Sequence, residues 1–138
     1  MTSELRVDNL KGSTTGGSIN VLGEGTSATT NLQQGLAKSF INFDGTTSGL
    51  TTRTSFNISS TTDLTTGNYQ AAVTNGFASG SDWVTTGHAG NNSATNAGNS
   101  FTASNPHSST SGHLETMNDE ATNSDRGYIG MVYHGDLA

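Results

Sequence analysis

The chain has 138 residues, a formal net charge of -6 and only 5 Lys and Arg residues, which are scattered along it. So few cations exclude a nucleic-acid partner, which needs clustered positive charge to neutralise phosphates. The absence of cysteine excludes disulfides and thiolate metal sites, and no apolar run approaches the roughly 20 residues of a membrane-spanning helix.

The N-terminal region predicts a short arm followed by a linker. Residues 1–25 contain two apolar stretches, 5–10 and 18–22, which predict two short strands joined by a Gly-rich turn. Residues 26–36 predict a linker with one short helical turn. The charged opening residues predict no cleaved secretory signal. Because the arm is too short and too polar to fold alone, we expect it to attach to another chain.

The rest of the chain, residues 37–138, predicts a single β-rich body. Thr is abundant, and its branched β-carbon favours extended backbone, while Asp-Gly and Asn-Gly pairs mark turns. Residues 88–112 are nearly all small and polar and predict a long loop with one short strand at 101–103. The predicted strands of the body are 37–43, 52–60, 69–73, 81–86, 113–117 and 128–134.

Together these segments predict an all-β fold, an antiparallel β-sandwich-like module with a short N-terminal β arm. Large apolar residues are few, so a core built by one chain alone would be thin. Without disulfides or a metal motif, association with identical copies is the remaining way to stabilise it. We expect the aromatic residues to pack in the core, namely Phe40, Phe43, Phe56, Tyr69, Trp83, Tyr128 and Tyr133.

Several blocks of the sequence have counterparts, in the same order, in one group of viral proteins. The blocks are 5–8 (LRVD), 17–23 (GSINVLG), 37–45 (AKSFINFDG), 53–60 (RTSFNISS), 62–63 and 67–69 (TD and GNY), and 132–138 (VYHGDLA). They resemble blocks in tail-fibre and virion structural proteins of marine phages of the cyanophage and pelagiphage type. Residues 87–127 lie outside the resemblance.

The resemblance implies a β-structured homotrimer in the virion, made in the host cytoplasm, whose arm contacts other virion proteins. We therefore expect a structural, non-enzymatic protein, a fibre- or spike-type component of a phage tail or head. A role in host attachment would add a cell-surface glycan or protein as a partner. Two alternatives stay open: a head-decoration or tail-joint protein that binds only other virion proteins, and a polysaccharide-degrading tail enzyme.

Four residues are candidate metal ligands. His107, His113 and His134, with Glu115 nearby, carry side chains that bind transition metals. The chain has neither a His-x-His repeat nor a HExxH motif. We therefore expect polar or capping histidines, with no metal and no cofactor.

The polysaccharide-degrading alternative depends on paired carboxylates. Asp119, Glu120 and Asp125 are the candidates, and a glycosidase would hold two of them roughly 5 Å or 6.5–9.5 Å apart on a rigid frame. Their Asn- and Ser-rich surroundings predict solvated loop charges instead. Trp83 is the candidate for stacking on a sugar, although core packing is the expectation for it as well. The sequence therefore predicts no catalytic residue.

Overall fold

The computed structural model describes residues 4–14, 19–22, 29–90, 100–102, 107–118 and 120–138. The chain divides into two compact units, residues 1–36 and residues 37–138. Among the described residues, no helix is long and apolar enough to cross a membrane.

The N-terminal unit contains one small hairpin. Strand β1 (Asn20–Leu22) pairs antiparallel with β2 (Thr29–Asn31), and α1 (Leu32–Gly35) is the short helical turn predicted for this region. The predicted strand at 5–10 is wrong, because these residues have no regular secondary structure. No described segment pairs with it, and an extended segment without a neighbour cannot form a ladder. The attachment role of the arm stays a prediction.

The body, residues 37–138, consists of two four-stranded antiparallel sheets, which makes it all-β and sandwich-like, as predicted. The first sheet has the strand order β4-β3-β10-β7 and the second sheet the order β5-β6-β9-β8. The strands are β3 (Ser39–Asp44), β4 (Thr51–Phe56), β5 (Ile58–Thr65), β6 (Asn68–Val73), β7 (Trp83–Gly90), β8 (Ser100–Thr102), β9 (Ser111–Met117) and β10 (Tyr128–Gly135).

The core lies between the inner faces of the two sheets. Alternating positions of the central strands point inward, as the period of two predicts. The Phe43 ring of the first sheet contacts the Tyr69 ring of the second edge-to-face, with centroids 5.3 Å apart. The buried apolar residues are Ile41, Phe43, Tyr69, Ala71, Val73, Phe77, Trp83, Leu114, Ile129, Met131 and Tyr133.

A single chain encloses this core, so the expectation that neighbouring copies would complete the interior is not needed for the body. Large aromatic rings fill the space that a shortage of aliphatic residues would leave. Gly112 on β9 lets the Trp83 and Tyr133 rings approach the second sheet. A β-carbon on residue 112 would lie 2.7 Å from Trp83 Cη2 and 3.0 Å from Tyr133 Cε1.

The predicted strand at 52–60 is wrong, because it is two strands that belong to different sheets. Asn57 separates them with a φ of 56°, a left-handed conformation that Asn tolerates better than most residues. Its side-chain amide donates to the Lys38 carbonyl (3.0 Å) and the Asn75 carbonyl (3.2 Å). Its side-chain oxygen accepts from the Asn75 N–H at 2.8 Å. Asn57 thus fixes the corner at which the chain passes from the first sheet to the second.

The predicted loop at 88–112 is shorter than expected at both ends. Strand β7 continues to Gly90 because it pairs with β10 along its whole length, and β9 begins at Ser111. The short strand predicted at 101–103 is present as β8 (Ser100–Thr102). Residues 91–99 and 103–106 lie outside the described residues.

Candidate interaction surfaces

The outer face of the first sheet carries an unusual set of side chains for a surface. Strand register places alternate residues of its four strands on this face, away from the core. Phe56, Val84 and Tyr128 are exposed there, and Phe40 is partly so. We call this surface the groove face. It includes Phe40, Asn42, Asp44, Thr54, Phe56, Val84, Thr86, His88, Tyr128, Gly130, Val132 and His134.

A groove of about 420 Å³ crosses the groove face. Phe40 and Asn42 of β3 line one side, Thr86 and His88 of β7 line the other, and Gly130 of β10 lies between them. A glycine at position 130 lets the His88 ring lie across β10 at one side of the groove. A β-carbon there would overlap the His88 imidazole, which lies directly over the position.

Two stacked aromatic rings border the groove. Phe40 and Phe56 lie opposite each other in register, with ring centroids 5.9 Å apart and planes 28° apart. Phe56 is 54% exposed and Phe40 is 36% exposed. Val84, on β7 at the opposite edge of the sheet, is 64% exposed. Phe40 and Phe56 form a contiguous exposed apolar pair, and contiguous apolar patches mark an interaction surface more often than single exposed residues do.

The groove face is electrically neutral. The four strands of the first sheet contain one acidic residue, Asp44, and one cation, Arg53. Arg53 Nη2 lies 3.0 Å from Asp44 Oδ2, and the guanidinium lies over the Tyr128 ring, 4.3 Å from its centroid. The groove lining has no Asp, Glu, Lys or Arg. A partner that fits here is recognised by apolar contact rather than by charge.

The outer face of the second sheet is polar by contrast. Gln70 of β6 and Ser111, His113 and Glu115 of β9 alternate with the buried residues of their strands. Gln70 Nε2 lies 2.9 Å from His113 Nε2 and 3.3 Å from Ser111 Oγ. The side chains of this face thus bond to one another, and the two outer faces differ in chemistry.

The histidines considered as metal ligands have other surroundings. His107 lies edge-on against Trp83, with ring centroids 4.4 Å apart, and burial lowers its pKa, with a further contribution from nearby His113. His134 belongs to β10 of the first sheet, whereas His113 and Glu115 belong to β9 of the second. Within the described part of the chain, no three His, Asp or Glu side chains form a group that could hold a metal ion.

Of the three candidate carboxylates, Asp125 takes part in the fold. Its Oδ1 accepts hydrogen bonds from the Tyr69 hydroxyl (2.8 Å) and the Gly67 N–H (2.7 Å). Burial and this carboxylate raise the pKa of Tyr69. Glu120 is exposed, and Asp119 lies outside the described residues. Asp125 therefore acts as a structural acceptor that holds the loop before β10 against the second sheet.

Trp83 belongs to the core, as expected, and cannot offer a face to a sugar. It is 6% exposed and stacks on Phe77, with ring centroids 4.9 Å apart. Its indole N–H donates to the Ser108 carbonyl at 3.2 Å.

Sequence reasoning missed the surface role of three aromatic residues. Phe40, Phe56 and Tyr128 were expected in the core and lie on the groove face. One signal was available for Phe40. It is three residues from Phe43, and an odd spacing places two strand residues on opposite faces. The groove itself had no local signal, because it depends on which residues of β3, β7 and β10 become neighbours.

Comparisons with protein-family models, with curated proteins and with solved structures found no match to this chain.

Proposed function

We propose that this chain is a structural protein of a phage particle. It is a fibre- or spike-type component of the tail or head that assembles as a homotrimer and attaches through its N-terminal unit. The blocks of sequence that resemble marine-phage virion proteins support the viral assignment. The all-β body, with its own core, supports a role as a rigid module.

One observation carries the attachment role. Most of the described large apolar side chains of the N-terminal unit are exposed, from Leu5 at 76% to Val21 at 50%, while Ile19 and Leu32 are half-buried. Burying one such side chain contributes roughly 1.5–3 kcal/mol. Leu5, Val7 and Leu10 lie in a segment without regular structure. A segment of this kind gains stability by docking on a partner, and other proteins of the particle are the partners we propose.

The body offers strand edges for assembly as well. Strands β4 and β5 end their sheets, and each pairs with one neighbour among the described strands. All six residues of β4 are exposed. An open edge of unpaired N–H and C=O groups favours pairing with another chain unless something covers it. Association in a closed oligomer or on a particle would cover these edges.

Immunogold electron microscopy tests the proposal. Phage particles purified from a lysate that yields this sequence are labelled with antibodies raised against the full chain. We expect gold at one fixed position on the particle, and that position separates a tail fibre from a head-decoration or tail-joint protein. Particles that carry the encoding gene but bind no gold would contradict the proposal.

The attachment role has a separate test in an engineered phage. Val7→Glu places a charge in the exposed apolar segment, and we expect the variant protein to fold but to be missing from purified particles. Leu64→Glu is the matched control, because Leu64 is an exposed apolar residue of the body, on β5. Normal incorporation of the Val7→Glu chain would show that the segment does not attach the protein.

A further inference from the structure

We propose that the groove face is the surface through which copies of this chain bind one another, with Phe56 of one copy entering the groove of the next. The inference rests on the proposed function and names the interface that its oligomer would use. Four features of the described body support it.

The first feature is that one face carries both a projection and a hollow. The stacked Phe40 and Phe56 rings stand beside a groove of about 420 Å³ that Phe40, Thr86 and His88 help to line. A surface that carries both a projection and a groove can bind the same surface on an identical copy of the chain. When the projection of one copy enters the hollow of the next, the contact is head-to-tail and closes into a ring if the rotation allows. Three copies is the number that the sequence resemblance implies.

The second feature is charge. The chain carries a net charge of -6, so identical copies repel each other over most orientations. The strands of the first sheet are neutral, because Arg53 pairs with Asp44. The strands of the second sheet contain Asp63 and Glu115 and no Lys or Arg. Approach through the groove face therefore brings together the surfaces that repel least.

The third feature is the lining of the groove. Ile41 and Met131 point into the core, so the side chains that face the groove are Phe40 and Val132, which are apolar, and Asn42, Thr86 and His88, which are polar. A sugar would need several hydrogen-bonding groups around its ring hydroxyls. An aromatic side chain needs apolar walls and buries roughly 150–250 Å² when it is covered. Phe40 and Val132 supply apolar walls for a phenylalanine ring, and a glycan is the competing occupant that the test includes.

The fourth feature is the contrast between the two sheets. On the central strands of the second sheet, outward polar residues bond to each other, as Gln70 of β6 does to His113 of β9. Among the described residues of the body, most large exposed apolar residues lie on the groove face instead, the exceptions being Leu64 and Leu137. An interface that excludes water therefore fits the first sheet and not the second.

The test is the molar mass in solution of four full-length chains, measured by size exclusion with light scattering at equal concentration. They are the wild type, Phe56→Glu, Thr86→Arg and Leu64→Glu. Phe56→Glu charges the projection, and Thr86→Arg fills the groove from an exposed position on β7. Leu64→Glu makes the same change on the other sheet. Fluorescence of the single Trp, Trp83, during unfolding shows whether each variant is folded.

We expect an oligomer for the wild type and for Leu64→Glu, and folded monomers for the two groove-face variants. An oligomer that survives both groove-face changes would overturn the inference. If Phe56→Glu fails to fold, Thr86→Arg decides alone. A wild-type monomer would also overturn it. If that monomer bound a glycan and Thr86→Arg abolished the binding, the groove would be a glycan site instead of an interface between copies. Immunogold labelling tests the particle role independently, so gold on particles together with a monomer in solution would refute this interface and the homotrimer but leave the particle role standing.

Discussion

Replacing Asp125 by Ala should destabilise the body strongly, although Asp125 lies in a loop. Its Oδ1 accepts from the Tyr69 hydroxyl and from the Gly67 N–H, at 2.8 Å and 2.7 Å. Both Tyr69 and Gly67 are buried. The substitution removes the acceptor and leaves two buried donors. The Gly45 carbonyl, 3.4 Å from the hydroxyl, is a weak replacement for one of them.

The magnitude follows from the cost of a buried group without a partner. Each such group costs about 1–3 kcal/mol, so we expect Asp125→Ala to lower the free energy of unfolding by about 3 kcal/mol. Tyr69→Phe removes one donor but leaves the half-buried carboxylate with Gly67, and it should cost about 1–1.5 kcal/mol. The double variant should recover about 1 kcal/mol relative to Asp125→Ala, because the phenylalanine has no hydroxyl left without an acceptor.

Urea unfolding followed by the fluorescence of Trp83, the single Trp, measures all three variants against the wild type. For a domain of this size, about 3 kcal/mol corresponds to a decrease of roughly 10–20 °C in Tm. Asp125→Ala with wild-type stability would refute the reasoning. A double variant less stable than Asp125→Ala would refute it too, because it would show that the hydroxyl has another partner.

Three further predictions concern the core, the corner between the sheets and the interface. Gly112→Ala should lower the free energy of unfolding by about 1–3 kcal/mol in urea, because the added carbon lies 2.7 Å from Trp83 Cη2; unchanged stability would contradict this packing. In thermal melts, Asn57→Ala should lower the free energy of unfolding by about 3 kcal/mol. Asn57→Gly should lower it by about 1 kcal/mol less, since glycine adopts positive φ without strain. Equal losses for the two variants would show that the backbone conformation contributes nothing. The chain has no cysteine of its own, so single cysteines can be introduced at the two positions. Under mild oxidation, an equimolar mixture of Phe56→Cys and Thr86→Cys chains should form mainly mixed disulfide dimers, which mass spectrometry identifies. Random pairing of the two chains would contradict contact between the two positions.

The parts of the fold that could be predicted from sequence are those with local alternation. Tyr69, Ala71 and Val73 alternate in β6 and point inward. Ile129, Met131 and Tyr133 do so in β10. In both strands every second residue is apolar and buried, so the period of two was visible.

The parts that could not be predicted depend on distant partners. The break at Asn57 was hidden because the residues on both sides favour strands, and only the bonds of its side chain to Lys38 and Asn75 specify the corner. The segment at 5–10 has strand-like alternation but no described neighbour to pair with. A pattern that favours a strand does not supply the second strand that a ladder requires.

The candidate surface was predicted least well. The groove requires Gly130 to lie between Asn42 and His88, and these residues come from strands that are distant in sequence. Phe56 was assigned to the core because an aromatic residue in a strand is usually buried. The structure places it on an edge strand, where its one aromatic neighbour in the sheet is Phe40.

Self-association is the claim on which the account mainly depends, and the molar mass of the wild-type chain in dilute solution tests it most directly. We expect a species of three times the 14.2 kDa chain mass that dissociates only at low concentration. A homogeneous species of 14.2 kDa across the micromolar range would contradict it.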